Sequence, residues 1–423
     1  MTRCSRYLPG LYIACLCVCA AVDWIYFPAT TVFPDEQRYV ASALRLAQTG
    51  EFWVAGNRAW EMPGTALFYA AIVRAFGAVH LIQLARTAQS VLLVLQALLV
   101  GWTAWRVFRH EWAAAIAALI KAFYPYFLFY QGLLLSETLF NTLLVASFAC
   151  LYWWRDRGAR FDGFFFATCL CFAAATMTKA TLTAFPVILL AATAYSCLGW
   201  RRAATVLLVA SVSLAALMSP WWIRNYLLFD AFVPFSTSAS KNLYLGNNRN
   251  NPHAGVDWRT DAEPDVVARI DVIADERARQ SAYSKVAMEY IAAEPVTFIE
   301  RAARKFVRFW NVVPNAAVYS GNVYRIISVL SFGPVLLLAV FCVLLWRRTA
   351  HALLPIYLLI GYFTLVHMVT IASLRYRLPI EPFLIVMAAY PTGRLMEAAR
   401  RKLMTPRLEN VQKRLADEQT AER

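Results

Sequence analysis

Histidine is almost missing from this chain, five residues in 423, and no HExxH pair occurs, so nothing spells out a zinc hydrolase. A P-loop, a GxSxG elbow and a GxGxxG fingerprint are absent as well, which removes the signatures of ATP hydrolysis, serine hydrolysis and dinucleotide chemistry. The nine cysteines show no CxxC spacing and fall mostly within apolar runs, as Cys15, Cys169 and Cys342 do; they read as small packing residues rather than metal ligands or disulfide partners. No cofactor is called for, and a divalent metal is compatible with the acidic residues but not indicated by them. Charge is scarce too: charged residues make up 16% of the chain against 60% hydrophobic. A soluble protein of this size has no way to bury so much apolar surface, so the chain reads as an all-α polytopic membrane protein.

The formal charge of +15 sits in short clusters between apolar runs. That is the positive-inside pattern, and no nucleic-acid partner follows from it. Trp and Tyr gather near the ends of the runs (Trp102, Trp105, Trp153, Trp154, Trp221, Trp222), where an interfacial belt belongs. The runs predict about ten spans, near Leu8–Phe27, Leu81–Val107, Trp112–Phe123, Glu137–Trp154, Phe164–Thr178 and Leu182–Leu198, a seventh ending at Trp222, then Val323–Trp346, Leu353–Ile371 and Pro379–Tyr390. Arg3 and Arg6, Arg106 and Arg109, Arg155 and Arg157, Arg201 and Arg202, Arg347 and Arg348, and the tail from Arg394 mark the cytoplasmic side, which puts both termini inside a plasma (inner) membrane. The expected organisation is a membrane unit over residues 1–395, with a first outer loop at 28–80 and a large outer loop at 223–322, followed by a charged cytoplasmic tail at 396–423. Within the outer loops, Thr65–Phe76 is expected to lie at the interface, and the helix before Trp310 has a basic amphipathic end (Arg301, Arg304, Lys305, Arg308) suited to the membrane surface.

The charges that break this pattern carry the information. Asp35 and Glu36 follow Pro34 and open an amphipathic helix with Tyr39 on its apolar face, hard against the membrane. Asp35 stands where a helix N-cap belongs, so capping and catalysis are both open readings of the outward acidic pair. Lys179, Arg224, Arg375 and Arg377 lie at outer ends of spans, against the positive-inside bias. Each alone reads equally well as a snorkelling side chain; together they make a cradle for a phosphate. Glu137 either caps its span after Ser136 or joins the site, and Glu381 either orients Arg375 or Arg377 or faces the substrate. Acids and cations around one outer cavity suit transfer from a phosphorylated lipid, a carboxylate orienting or deprotonating a hydroxyl while cations hold the departing phosphate. His367 reads as core.

Several segments carry a resemblance, in order along the chain. They are Pro34-Asp35-Glu36 with Tyr39, Gly50, Gly56 and Met62-Pro63-Gly64; Pro220-Trp221-Trp222-Ile223-Arg224-Asn225-Tyr226 with Phe232-Val233-Pro234, Ser236-Thr237 and Leu245-Gly246-Asn247-Asn248; Glu294-Pro295 with Lys305 and Trp310; and Arg375-Tyr376-Arg377-Leu378-Pro379. The combination resembles the GT-C membrane glycosyltransferases, in particular the family of dolichyl-phosphate-mannose protein mannosyltransferases and bacterial aminoarabinose-lipid A transferases. The resemblance implies a GT-C-like fold, a polyprenyl-phosphate-linked sugar donor and an inverting transfer to an extracytoplasmic acceptor that is a lipid, a glycan or a protein. It maps the catalytic aspartate onto Asp35, with Glu36 beside it and Tyr39, Glu137, Asn225, Tyr376 and Glu381 in support. A lipid-glycan flippase, and a surface-glycan polymerase or ligase with a diphosphate-linked donor, are the competing readings. A flippase calls for charges spread through the bilayer midplane, whereas here they collect at the outer ends.

Overall fold

The computed structural model of the protein describes residues 8–28, 30–314, 319, 321–345 and 350–421. Arg3, Arg6, Trp346, Arg347 and Arg348, which entered the topology argument, lie outside the described residues. Within them the chain is all-α, its one β feature being an isolated bridge between Val54 and Asn57. The helices are α1 (Leu8–Tyr26), α2 (Pro34–Thr49), α3 (Gly64–Phe76), α4 (Leu81–Phe108), α5 (Glu111–Ala122), α6 (Pro125–Gln131), α7 (Glu137–Asp156), α8 (Gly163–Thr178), α9 (Phe185–Leu198) and α10 (Trp200–Phe229). After a polar region they continue as α11 (Ser238–Asn247), α12 (Trp258–Asp261), α13 (Pro264–Asp271), α14 (Glu276–Ala293), α15 (Pro295–Trp310), α16 (Asn322–Leu345), α17 (Ala350–Val369), α18 (Leu374–Arg377) and α19 (Glu381–Ala421).

The chain is a multi-pass integral membrane protein. Among the described residues four helices, α4, α10, α16 and α17, are long and apolar enough to cross a bilayer, and α5 with α6 makes a fifth if that pair, bent by 48°, is one span. Shorter apolar helices, α1, α3, α8 and α9, pack beside them. The bundle is built by α4 on α5 and α7, α7 on α8, α9 on α10, and α19 on α5 and α16. Its core is apolar, with Phe140, Phe148, Phe165 and Phe172 fully buried.

Three local features depart from the expectation. α10 does not end near Trp222; it runs through Pro220 to Phe229. Proline removes the amide that would bond the Ala216 carbonyl, but Ser219 Oγ donates to that same oxygen at 2.8 Å, so the turn holds. α2 is capped by Phe33, with Pro34 and Asp35 already inside its first turn, so Asp35 is not the N-cap. Two cations of the basic end of α15 are turned inward: Lys305 and Arg301 are buried, while Arg304 stays exposed, as do Val296, Ile299 and Val307. The reason is hydrogen bonding. Arg301 donates to Asn247 O at 2.9 Å and Lys305 to Val369 O at 3.2 Å, so the cations satisfy the carbonyl ends of α11 and α17, where a helix dipole favours positive charge. α19 runs without interruption through the expected 395/396 boundary.

Candidate functional site

The start of α2, the segment before α3, the start of α7, the turn after α8 and the short α18 bring six charged side chains together. Asp35 accepts from Arg38 Nη2 through one oxygen and from Arg375 Nη1 through the other, each at 2.7 Å. Glu137 takes Arg375 Nε at 2.5 Å and Lys179 Nζ at 2.8 Å on the same oxygen, Oε1. Arg38 Nη2 also faces Glu61 Oε1 at 3.5 Å. Three cations thus meet three carboxylates in a continuous chain, Lys179–Glu137–Arg375–Asp35–Arg38–Glu61. Exposure peaks within the chain: the Glu137 side chain is 2% exposed against 32% for Asp35 and 36% for Arg38, so the cluster is most open at Asp35 and Arg38 and most closed at Glu137. An ion-pair chain of this kind is costly to desolvate and gains from a ligand that shares its hydrogen bonds.

Local sequence explains the geometry. Asp35 and Arg38 stand three apart on a helix and therefore share a face. The closeness of the segment between α2 and α3 to Lys179 depends on Gly64, because a Cβ there would lie 2.7 Å from the Met177 carbonyl oxygen and 2.8 Å from Thr178 Oγ1. Arg375 is held by its flanks. Tyr376 stacks on His367 with ring centroids 4.9 Å apart, and Arg377, fully buried, donates to Glu381 at 2.8 Å and to the carbonyls of Phe309 and Asn311. Glu381 is therefore the partner of Arg377, not of Arg375.

Several residues picked from the sequence stand apart from this cluster. Glu36 is not the outward half of an acidic pair: it is fully buried, and its carboxylate accepts from the amides of Val32, Phe33 and Leu134 at 2.7, 2.8 and 2.8 Å. It closes the start of α2 and ties it to the segment before α7, the work of the acidic residue in a capping box. The four-cation cradle does not assemble as one unit. Arg224 spends its guanidinium on the Arg58 and Phe52 carbonyls and on Asn225, at 2.8, 3.0 and 2.8 Å, beside a separate open cavity of about 480 Å³. Asn225 is buried and donates to Val233 O at 2.8 Å. Arg377 points into the core over the Phe332 ring. Lys179 and Arg375 do share Glu137, and Tyr39 is buried next to the cluster.

Sequence reasoning passed over Arg38 and Glu61. The signals were present: Arg38 lies one helical turn after Asp35, and Glu61 lies inside Trp60-Glu61-Met62-Pro63-Gly64. Burial raises the Glu61 carboxyl above its ordinary range, while the Arg38 guanidinium pulls the other way. Among the described residues, no three His, Cys, Asp or Glu side chains gather as a metal site would need. The acids here face arginine and lysine.

No family model matches the sequence, and no curated protein is detectably similar to it. Solved structures are. The chain superposes on the archaeal oligosaccharyltransferase AglB of Archaeoglobus fulgidus, solved in complex with an inhibitory peptide and a dolichol-phosphate, with a TM-score of 0.57 at 12% identity. The match covers 96% of this chain and 52% of that one, so this chain spans about half the length of AglB. The apo form of the Archaeoglobus fulgidus oligosaccharyltransferase gives 0.53 at 13% identity, over 94% and 52% of the two chains. The fold is GT-C-like. ArnT of Cupriavidus metallidurans bound to undecaprenyl phosphate, also a GT-C membrane glycosyltransferase, aligns over 91% of this chain and 78% of its own with a TM-score of 0.41 at 17% identity; the fold assignment rests on the AglB overlays.

Proposed function

We propose that the protein is a membrane glycosyltransferase that moves a sugar from a polyprenyl-phosphate donor to an extracytoplasmic acceptor, with inversion at the anomeric carbon. The observation that carries this reading is the chain of alternating acids and cations, open at Asp35, inside a GT-C-like fold. Support for the donor class comes from AglB, whose structure holds a dolichol-phosphate. Arg375 and Lys179 are the cations that receive the departing phosphate, Arg375 with a planar fork and Lys179 with a point charge. A carboxylate of the cluster takes the proton of the acceptor hydroxyl, and water is kept away from the deep end, where Glu137 is shut in. The resemblance gives the proton to Asp35.

The same reading has the chain cross the membrane about ten times, the shorter helices included, with both termini in the cytoplasm and the cluster facing outward. The sugar and the acceptor come from mass spectrometry of lipid-linked sugars and envelope glycans with and without the gene. An accumulating polyprenyl-phosphate sugar with a missing glycan supports the transferase; unchanged lipid and glycan profiles sink it. Ala274 is an exposed position between α13 and α14. Ala274→Cys in a cysteine-free background should react with an impermeant thiol reagent in intact cells, and labelling only after permeabilisation reverses the orientation.

A further inference from the structure

The proton of the transfer reaction needs a destination, and the carboxylates of the cluster are not equivalent. Asp35 has a guanidinium nitrogen on each oxygen at 2.7 Å. Glu137 is buried at the closed end and serves Arg375 and Lys179 through one oxygen. The second oxygen does not separate Glu61 from Glu137, since Oε2 of each is buried and meets no donor at bonding geometry. The cations do. Glu137 holds two, at 2.5 and 2.8 Å, and Asp35 holds two at 2.7 Å. Among the described residues Glu61 has one ion pair, 3.5 Å to an Arg38 nitrogen that Asp35 already holds, with the neutral Tyr39 hydroxyl as its other neighbour. Arg38 Nε is likewise unbonded. Of the three carboxylates, the one with the least positive charge against it is the one on which a proton costs least.

We propose that Glu61 is the proton acceptor of the transfer, and that Asp35 is a positioning residue that holds Arg38 and Arg375 apart and in place. The inference rests on the transferase reading. In the step, a lone pair of the acceptor oxygen forms the new bond to the anomeric carbon as the bond from that carbon to the phosphate oxygen breaks. The electron pair stays on the phosphate, and the hydroxyl proton passes to the Glu61 carboxylate. Charge balances within the cluster: the phosphate goes from a diester with one negative charge to a monoester that gains a second, while Glu61 loses its own. Arg38, released from one of its two carboxylates, then turns its freed hydrogen-bonding capacity toward the phosphate. Burial of Glu61 raises its proton affinity in the same direction. The groups facing it are Asp35, Arg38 and Tyr39 from α2 and Arg375 from α18, and its charge also reaches Lys179.

The product state is testable without knowing the sugar or the acceptor, because it contains a polyprenyl phosphate and a protonated Glu61 together. Full-length protein in detergent is titrated with undecaprenyl phosphate by calorimetry near neutral pH, in two buffers of different ionisation enthalpy, so that the proton count on binding is read directly. Wild type is expected to bind the lipid phosphate and take up a proton. Asp35→Asn should keep that uptake and Glu61→Gln should lose it while still binding. Equal proton counts in wild type and Glu61→Gln, or loss of uptake in Asp35→Asn instead, overturn the role of Glu61 and leave the transferase reading standing. Failure of wild type to bind undecaprenyl phosphate overturns the polyprenyl-phosphate reading, and the inference with it. If Glu61→Gln does not fold, Glu61→Asp and Asp35→Asn decide between the two acids, since retained uptake in both supports Glu61 and loss confined to Asp35→Asn refutes it.

Discussion

Gly64 sits so close to Met177 that a methyl group on its α-carbon would fall 2.7 Å from the Met177 carbonyl oxygen. This contact joins the loop carrying Glu61 to the end of α8, one residue short of the turn holding Lys179. In a solvated helix, alanine would stabilise relative to glycine. Here the added carbon meets backbone that has nowhere to go, and Gly64→Ala should instead cost about 1–3 kcal/mol, the usual size of overpacking. The check is thermal unfolding in detergent. An unchanged or raised midpoint would mean that α3 and α8 are not held this closely.

Arg375 and Arg377 are two residues apart and should respond in opposite ways. Arg375 is partly exposed in the charge cluster, whereas Arg377 and Glu381 form a fully buried pair. Arg377→Ala leaves Glu381 charged and unpaired, which should destabilise by about 3–5 kcal/mol. Arg375→Ala should leave the fold standing and weaken undecaprenyl phosphate binding at least tenfold, with Arg375→Lys restoring only part of it. Parallel melting and binding curves separate the two; equal effects on binding at equal stability would put Arg377 back at the site.

Lys305 gives a pH signature to the packing of α15. It is buried against Asn247 and Val369, and burial, with Arg301 adding to it, lowers its ammonium from 10.5 to about 7. Between those two values the folded protein binds fewer protons at this site than the unfolded chain does, so stability rises with pH across the window. Below it both states are protonated, and the cost of the buried charge is borne in full. Lys305→Met should flatten the part of the stability profile between neutral pH and pH ~9. A slope that persists in the variant would assign the dependence to another group.

How much of this was legible beforehand depends on what kind of signal each residue leaves. Lys179 and Arg375 stood out because a cation at the outer end of a span violates a charge bias, and Asp35 because an acid follows a proline at the membrane edge. Arg224 and Arg377 gave the same signal for a different reason: their guanidinium groups close open backbone carbonyls, an obligation that charge counting does not see. Glu36 and Asp35 are neighbours on one helix about 100° apart, and only the position of Leu134, some hundred residues later, decides which one turns inward. In α15 the pattern located a basic amphipathic end but not which of its cations turn inward; Arg301 and Lys305 do, because the carbonyl ends of α11 and α17 lie within their reach. Glu61 was passed over because Met62-Pro63-Gly64 beside it was read for its resemblance and not for the charge that precedes it.

Asp35, Glu36 and Glu61 can be told apart by what their amides do. Glu36→Gln replaces an oxygen that accepts a backbone amide with a nitrogen that donates, so donor meets donor at Val32 and Phe33 or at Leu134. The loss should appear as stability, on the order of 1–3 kcal/mol, with turnover per folded molecule nearly unchanged. Asp35→Asn keeps one accepting oxygen for Arg38 or Arg375 but not both, so the released guanidinium drifts and turnover should fall by roughly 10- to 100-fold. Glu61→Gln keeps size and polarity yet has no oxygen able to take the proton, and the fall should be larger, roughly 10²–10⁴-fold, with lipid phosphate binding retained. The measurement is single-turnover consumption of the lipid-linked donor that accumulates in the deletion strain, normalised to folded protein. The pH profile completes the test. Wild-type turnover should fall as pH drops through the Glu61 titration and its carboxylate becomes protonated, and Asp35→Asn should show the same limb at a lower plateau. If the limb survives in Glu61→Gln and vanishes in Asp35→Asn, the proton goes to Asp35, as the resemblance has it.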